Sequence, residues 1–463
     1  MKEPQGHKVL LGHGIHMSNP TKRVPVYLYD EHRKRGVMTF GTTGVGKTRL
    51  QELLVTDDIL NGKSVIVFDP KSDQGLFSKI YDVACRAGRE HEMQLITSIY
   101  PQYSVGIDPM AYYYDPAELI EHAISGIQGD DPFYREAARL FVTPVVHGNL
   151  ILAESEGRLP QVSLMQIFDG VQADELKKLK EALQSISPEL AEERDASLYI
   201  SMLDSNLAKP DDYREKILTS LHSALIPLIS GQIGKIIGKA DSNKLIKQLE
   251  EGKRVICVIH TGTMVSPSSA AILGRVLLSM IMAVVGRHYI DVREKMEPAL
   301  ALHIDEAHAI INKDTLNILA MAGSANVMTH LYSQAVSQLV VALGGKDQAI
   351  SAMSNTNTKI FMKSADADTA EYVIRHFGTK EVLSGVFSDS SVTTRAVEKE
   401  VLREIDLMNL QPQECYMTTY TGQWAFVTEN VPPSGTKIIF PGARNAVITD
   451  QMLGGTSAAG TLP

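Results

Sequence analysis

Residues 41–48 read Gly-Thr-Thr-Gly-Val-Gly-Lys-Thr, which fits the phosphate-binding pattern G-x-x-x-x-G-K-[ST] at every fixed position. Glycines let the backbone curl until several amides face one point, and a following helix adds its positive N-terminal dipole. Residues 37–40 have the composition of a short strand, and the apolar spacing over residues 50–59 indicates an amphipathic helix. The pattern therefore predicts a strand, a phosphate-binding loop and a helix in succession.

This loop predicts a site for ATP and Mg²⁺. We expect Lys47 to reach the β- and γ-phosphates and Thr48 to ligate Mg²⁺. The predicted nucleotide-binding residues are Gly41, Thr43, Gly44, Val45, Gly46, Lys47, Thr48 and Arg49.

Length and composition indicate a soluble globular protein of two or three domains. Of the 463 residues, 44% are hydrophobic and 21% charged, and the three cysteines form no C-x-x-C pair. Neither a disulfide framework nor a structural zinc site is expected, and a cytoplasmic location fits. The polar N-terminus does not resemble a signal peptide. The apolar run 270–285 is interrupted by Arg275, and we expect it to be too short to span a bilayer.

Negative charge is concentrated in one part of the chain. Residues 115–195 contain 16 acidic and 7 basic residues, a balance of −9 that equals the formal net charge of the whole chain. The remainder is therefore neutral, and we expect any path for DNA to lie there rather than on the acidic segment.

Hydrophobic periodicity predicts an α/β protein with a mostly parallel sheet and an inserted all-α domain. Continuous apolar runs at 64–68, 254–260 and 299–304 are typical of central parallel strands. Helical spacing dominates the region from residue 115 to residue 248. The predicted divisions are an N-terminal ribbon (1–35), the first part of a nucleotide-binding domain (36–114), an all-α domain (115–248), the second part of the nucleotide-binding domain (249–440) and a flexible tail (441–463).

An acid pair, Asp305-Glu306, ends one of these apolar strands. In a site that hydrolyses ATP, we expect Asp305 to hold Mg²⁺, through water or Thr48, and Glu306 to orient or deprotonate the attacking water. The alternative is a pair of surface acids that begins a helix.

Three further polar residues follow predicted strands. Gln334 is expected to sense the γ-phosphate, with capping of the next helix as an equal alternative. Asp69 and Lys71 are expected on the phosphate side of the sheet, with a simple strand-ending turn as the alternative. The predicted catalytic residues are Lys47, Glu306 and Gln334, and the predicted metal ligands are Thr48 and Asp305.

Taken together, these motifs resemble those of the type IV coupling proteins, most closely the TraD-type conjugative coupling factors. The resemblance covers most of residues 10–430, and its combination of motifs is more specific than the nucleotide motifs alone. The matching segments are residues 10–14 (Leu-Leu-Gly-His-Gly), 41–54, 69–71 (Asp-Pro-Lys), 86–90 (Arg-Ala-Gly-Arg-Glu), 305–306, 333–334 (Ser-Gln) and 355–378.

The resemblance implies a membrane-associated, hexameric, RecA-like P-loop ATPase that DNA stimulates. Such a motor delivers relaxase-bound DNA or other secreted cargo to a type IV secretion channel and its ATPases, at the cytoplasmic face of the bacterial inner membrane. Its contacts to DNA are expected to involve phosphates rather than base sequence. Ring ATPases of this type complete each site with an arginine from the next subunit. The candidates here are Arg375, Arg395 and Arg275, with a surface ion pair as the alternative for each.

One departure from the family concerns the N-terminus. Family members usually carry two N-terminal transmembrane helices, whereas 40 residues precede the phosphate loop here. We therefore expect either a cytoplasmic fragment or a soluble relative, and a fragment of this kind would be a monomer in isolation.

Two other functions stay open at this point. One is a chromosomal or repair DNA translocase of the FtsK or HerA kind. The other is a receptor that recruits protein substrates for secretion and has little ATPase activity of its own.

Overall fold

The computed structural model describes residues 6–127, 132–237, 243–290, 295–388 and 391–440. The predicted flexible tail, residues 441–463, lies outside these described residues.

The residues that the structure describes contain thirteen strands. They are β1 (Lys8–His16), β2 (Asn19–Tyr29), β3 (Val37–Phe40), β4 (Ser64–Phe68), β5 (Met93–Thr97), β6 (Ile256–His260), β7 (Leu300–Ile304), β8 (Val327–Ser333), β9 (Thr358–Phe361), β10 (Thr379–Ser388), β11 (Ser391–Glu400), β12 (Glu414–Thr419) and β13 (Gly422–Thr428). Eleven of them form one sheet in the order β2-β1-β13-β12-β9-β3-β8-β7-β4-β6-β5.

The half of this sheet from β9 to β5 is parallel, and the other pairs are antiparallel. Every residue of β3, β4, β6 and β7 is buried. Parallel strands covered by helices on both faces have no solvent side, which explains their continuous apolar runs.

Eighteen helices surround the sheet in the part of the chain that the structure describes. They are α1 (Asp30–Lys34), α2 (Lys47–Leu60), α3 (Gln74–Arg86), α4 (Pro116–Ile124), α5 (Pro132–Ser155), α6 (Leu164–Gly170), α7 (Ala173–Gln184), α8 (Pro188–Glu193), α9 (Ala196–Leu207), α10 (Asp211–Ile229), α11 (Gly231–Gly234), α12 (Lys244–Glu250), α13 (Pro267–Ile290), α14 (Lys313–Met321), α15 (Val336–Ala342), α16 (Lys346–Ser354), α17 (Ala367–Phe377) and α18 (Glu404–Met408). Helices α4 to α12, which we call the helical region, lie between β5 and β6 along the chain. The exact domain boundaries stay a prediction.

Helix α13 joins the helical region to the sheet. It packs against α4, α10 and α12 on one side and follows β6 directly along the chain. Our expectation that this apolar segment is too short to span a bilayer was wrong, because the helix has 24 residues. Among the described helices it is the one long and apolar enough to cross a membrane, with a mean hydropathy of 2.0. Because 67% of its most apolar stretch is buried inside the protein, it lies in the setting of a core helix.

The N-terminal ribbon belongs to the main sheet. Strand β1 pairs with β2 on one side and with β13, from the other end of the chain, on the second side. A Cβ atom at Gly12 would lie 1.9 Å from the carbonyl oxygen of Val427, and one at Gly14 would lie 2.0 Å from that of Ala425. The Leu-Gly-His-Gly segment is therefore explained by the close approach of two strands.

A second sheet consists of β10 and β11 alone. The Ser- and Thr-rich composition of residues 384–394 predicts a surface loop, and this prediction was wrong. The two strands pair in register from Thr379 opposite Glu400 to Ser388 opposite Ser391. The β-branched valines and threonines of this segment favour strands over a loop.

Two buried histidines make the stability of this fold depend on pH. Burial lowers the pKa of His122 to about 3 and that of His32 to about 4. Below about pH 6.5 these two side chains therefore bind protons in the unfolded chain but not in the folded chain. We expect these two side chains to lower the free energy of unfolding as the pH decreases between about 6.5 and 4, by up to about 2 to 3 kcal/mol per pH unit together.

Urea denaturation followed by circular dichroism at several pH values measures this slope. The His122→Asn variant can keep a hydrogen bond to Ser279, which His122 contacts through Nδ1 at 2.9 Å. The free energy of unfolding of this variant should depend less steeply on pH, because about one proton fewer is taken up on unfolding. Equal slopes in the two proteins would contradict the assignment.

Candidate active site

The phosphate-binding loop lies at the end of the middle strand of the eleven-stranded sheet. It follows β3, and α2 begins at Lys47. Gly44 and Gly46 have φ angles of 82° and 109°, which residues with a Cβ rarely adopt. The amide of Gly41 donates to the Ser333 carbonyl at 3.3 Å, which ties the loop to the end of the neighbouring strand β8.

Lys47 faces into this loop. Its ammonium donates to the carbonyl of Gly41 and, at 3.1 Å, to that of Thr42. Burial lowers the pKa of Lys47, and the nearby carboxylates of Glu306 and Asp305 partly oppose that effect. The lysine is thus held at the loop, next to the acid pair predicted from the sequence.

The other predicted nucleotide-binding residues have two kinds of surroundings. Thr43, Gly44, Thr48 and Arg49 are exposed, whereas Val45 is buried and accepts a hydrogen bond through its carbonyl from the Gln413 amide at 2.8 Å. Arg49 donates to Glu52 on its own helix at 2.7 Å. The sequence contained no signal for the support that Gln413 gives to the loop.

The acid pair ends β7, which is separated from β3 by β8 alone. Asp305 and Glu306 are both buried, and the Asp305 amide donates to the Phe68 carbonyl at 3.0 Å. Glu306 has a φ of 44°, in the left-handed region that non-glycine residues rarely occupy. Such backbone conformations concentrate at functional sites, where the surroundings hold them in place.

The two carboxylate oxygens of Glu306 have different partners. Oε1 accepts from Lys71 Nζ at 2.6 Å and from Gln334 Nε2 at 2.8 Å. Oε2 is buried and has no hydrogen-bond partner among the described residues, with His308 Nδ1 at 3.6 Å. One oxygen is therefore fixed and the other is left to accept a proton.

The same contacts set the charge of Glu306. Burial opposes its ionisation, but the hydrogen bonds from Lys71 and Gln334 outweigh burial and hold the pKa of Glu306 below its ordinary value. Burial raises the pKa of Asp305, and the Lys71 ammonium offsets only part of that rise. Glu306 is thus the acid of the pair whose carboxylate form is favoured.

Asp69 and Lys71 have separate roles in this geometry. Asp69 is buried at the end of β4, and its carboxylate accepts from the amides of Lys71, Ser72 and Asp73 at 3.1, 3.0 and 2.6 Å. It thereby builds the strand-ending turn that we gave as the alternative. Lys71 extends from that turn and contacts both Glu306 and, at 3.2 Å, Asp305.

Gln334 lies between the loop and the acid pair. It follows β8, the strand between β3 and β7, and its amide donates to Gln338 Oε1 at 3.1 Å. Its side chain contacts Glu306 directly. Gln338 and His308 belong to the surroundings of the site, and the sequence offered no pattern that singled out Gln338.

The three arginine candidates have different surroundings. Arg375 is exposed on α17 and pairs with Glu371 at 2.7 Å. Arg275 on α13 is half-buried and donates to the Ala309 carbonyl at 3.2 Å, within its own chain. Arg395 lies on β11, and its side chain is outside the described part of the structure.

The residues present fit a nucleotide with its metal ion. The loop presents glycine-rich backbone and Lys47 to phosphate oxygens, and the hydroxyl of Thr48 and the carboxylate of Asp305 are the oxygen ligands that Mg²⁺ prefers. Among the described residues no group of three or more His, Cys, Asp and Glu could hold a metal ion. A Mg²⁺ ion in this kind of site takes only one or two protein ligands and relies on phosphates and water for the rest.

Residues 299–412 match the family model described as the TraM recognition site of TraD and TraG. The chain is similar to TraD-type coupling proteins. The matched segment contains Asp305, Glu306 and Gln334. A search of curated proteins found no match.

Solved structures show the same fold over nearly the whole chain. The plasmid coupling protein TrwB in complex with ADP and Mg²⁺ aligns with a TM-score of 0.66 at 16% identity, covering 92% of this chain and 91% of that one. The unbound conjugative coupling protein TrwBdeltaN70 aligns with a TM-score of 0.65 at 16% identity, covering 91% and 90%. VirB4 of Thermoanaerobacter pseudethanolicus aligns with a TM-score of 0.53 at 14% identity, covering 93% and 98%.

These likenesses confirm the predicted fold class, a RecA-like P-loop NTPase core with a mostly parallel sheet and an inserted all-α region. The chain therefore has a nucleotide-binding NTPase fold. The roles assigned to individual site residues stay predictions.

Proposed function

We propose that this protein is an ATP-driven motor of conjugation, which couples hydrolysis of MgATP to the delivery of DNA, or of a DNA–protein substrate, to a type IV secretion channel. One observation carries the proposal. The segment similar to the TraM recognition site of TraD and TraG is the same segment that supplies Asp305, Glu306 and Gln334 to the candidate active site. The coupling-protein likeness and the hydrolytic residues therefore coincide in one stretch of chain.

Each residue of the site has its own role in the proposed hydrolysis. Mg²⁺, when bound, neutralises charge on the phosphates. Lys47 and the loop amides orient the β- and γ-phosphates, and Thr48 and Asp305 hold the metal ion. Glu306 takes a proton from the attacking water at Oε2, since Oε1 is occupied by Lys71 and Gln334.

We also propose an oligomeric state and a cellular location for this protein. The active form is a homo-hexamer at the cytoplasmic face of the bacterial inner membrane, with a relaxase or other cargo and the channel ATPases as partners. Arg375 suits completion of a neighbouring site better than Arg275, because its side chain is 71% exposed whereas Arg275 is half-buried. Contact with DNA would be made through its phosphates, independent of base sequence.

ATP turnover with and without single- and double-stranded DNA, at several protein concentrations, tests the motor. We expect the rate per subunit to rise with protein concentration and to rise further with DNA. The Lys47→Ala variant, which lacks the phosphate-binding ammonium, should be inactive throughout. A negligible rate that neither DNA nor concentration changes, in folded protein, would contradict the motor and favour a substrate receptor.

A further inference from the structure

Lys71 forms ion pairs with both members of the acid pair, which hydrolysis alone does not require. Its ammonium lies 2.6 Å from Glu306 Oε1 and 3.2 Å from Asp305 Oδ2, so that one cation bridges two buried carboxylates. The side chain is 44% exposed, although the acids that it contacts are buried. It therefore reaches into the site from solvent.

The base of this side chain is fixed. The Asp69 carboxylate accepts from three successive amides, beginning with that of Lys71, and Ser72 has a φ of 59°. The Thr263 amide adds a hydrogen bond to the Pro70 carbonyl at 2.9 Å. The backbone at Lys71 is thus held by the Asp69 side chain and by backbone hydrogen bonds, whereas its flexible four-carbon stem is partly exposed.

Neighbouring carboxylates out of water remain ionised together only beside a positive charge. Lys47 donates to loop carbonyls, and within the described residues the acid pair has ion-pair contacts with Lys71 and His308 only. Burial lowers the pKa of His308, which favours its neutral form. Lys71 is therefore the counter-ion of the pair.

We propose that Lys71 is a positioning residue that holds Asp305 and Glu306 as their counter-ion before Mg²⁺ binds, and that Mg²⁺ displaces it from Asp305. This inference rests on the proposed function, because it takes Asp305 as a ligand of the metal ion. Two cations cannot both neutralise the same carboxylate oxygen at contact distance without repelling each other. The lysine then competes with Mg²⁺ at Asp305 while its contact with Glu306 Oε1 keeps the other acid oriented.

This competition has a measurable consequence in the binding of ADP. Calorimetry gives the dissociation constant for ADP in excess EDTA and in excess Mg²⁺. The ratio of the first constant to the second is the gain in ADP affinity that the metal ion provides. Replacing Lys71 by Met removes the competing charge at similar length. We expect the ratio to rise by about 5- to 30-fold relative to the parent protein.

Two variants complete the design. Lys71→Arg keeps the charge and should keep the ratio within about twofold of the parent. Lys346 is a matched control, because its ammonium also bridges two acids, Asp368 and Glu371, and its side chain is 42% exposed. Lys346→Met should leave the ratio unchanged, since that cluster lies on α16 and α17.

The outcomes separate the two proposals. A structural defect in Lys71→Met would weaken ADP binding equally in both media and would leave the ratio unchanged. An unchanged or smaller ratio therefore overturns the role of Lys71, whereas the binding of the nucleotide by the parent protein still stands. A folded parent protein that binds no ADP in either medium overturns the proposed function and this inference with it. A raised ratio in Lys71→Met, without one in Lys346→Met, supports the displacement.

Discussion

Replacing Glu306 by Gln is expected to abolish steady ATP turnover while leaving nucleotide binding intact. The amide keeps the shape of the side chain, and its oxygen can still accept from Lys71 and Gln334 at the position of Oε1. It cannot take a proton from water at the position of Oε2, which has no hydrogen-bond partner among the described residues. Since general base catalysis contributes about 10²- to 10⁴-fold, turnover should fall by that factor.

Single-turnover hydrolysis of ATP and calorimetric binding of ADP measure the two effects separately. Glu156→Gln is a suitable control, because Glu156 is an exposed acid of the helical region that pairs with Arg158. It should hydrolyse ATP at the parent rate. Normal turnover in Glu306→Gln would show that another group activates water.

Replacing Asp58 by Ala is expected to lower the free energy of unfolding by about 3 to 5 kcal/mol. Asp58 is fully buried on α2 and accepts from Arg33 Nη2 at 2.5 Å and from Lys63 Nζ at 3.1 Å. Its removal leaves the guanidinium of Arg33, which is also fully buried, without its main counter-charge. Breaking one partner of a buried pair in this way is far more costly than losing a surface pair.

The same carboxylate also joins the two halves of the active site. Asp58 Oδ2 lies 3.1 Å from His303 Nε2, and His303 is on β7, two residues before Asp305. The helix that begins at Lys47 is thereby linked to the strand that ends at the acid pair. We therefore expect Asp58→Ala to lose ATPase activity beyond the loss that unfolding explains.

Chemical denaturation of Asp58→Ala and of Asp57→Ala measures this effect with a neighbour on the same helix as the control. Asp57 pairs with His7, a side chain that is 36% exposed, and its loss should cost about 1 kcal/mol or less. Similar stabilities for the two variants would show that the buried network contributes no more than a surface pair.

Much of this protein could be predicted from short stretches of chain. The loop at residues 41–48 depends on its own glycines and on the helix that follows, so its pattern is complete within a few residues. Apolar runs such as 64–68 and 299–304 identify buried parallel strands, and charged residues directly after them lie at the carboxyl edge of the sheet. These features follow from local sterics and from burial, which the order of residue types already encodes.

Other features depend on which strands become neighbours. In the order β3-β8-β7-β4, Gln334 and Lys71 follow the two strands that flank β7, and both contact Glu306. In sequence they are 28 and 235 residues away from it. The pairing of β1 with β13 explains Gly12 and Gly14, and packing against the helical region makes α13 a core helix despite its membrane-like length. Local periodicity contains no information about such contacts, because their energy is gained only when distant segments bury the same surface. The chemistry of each residue could thus be read along the chain, whereas the partners that set its charge and orientation come from the arrangement of the strands.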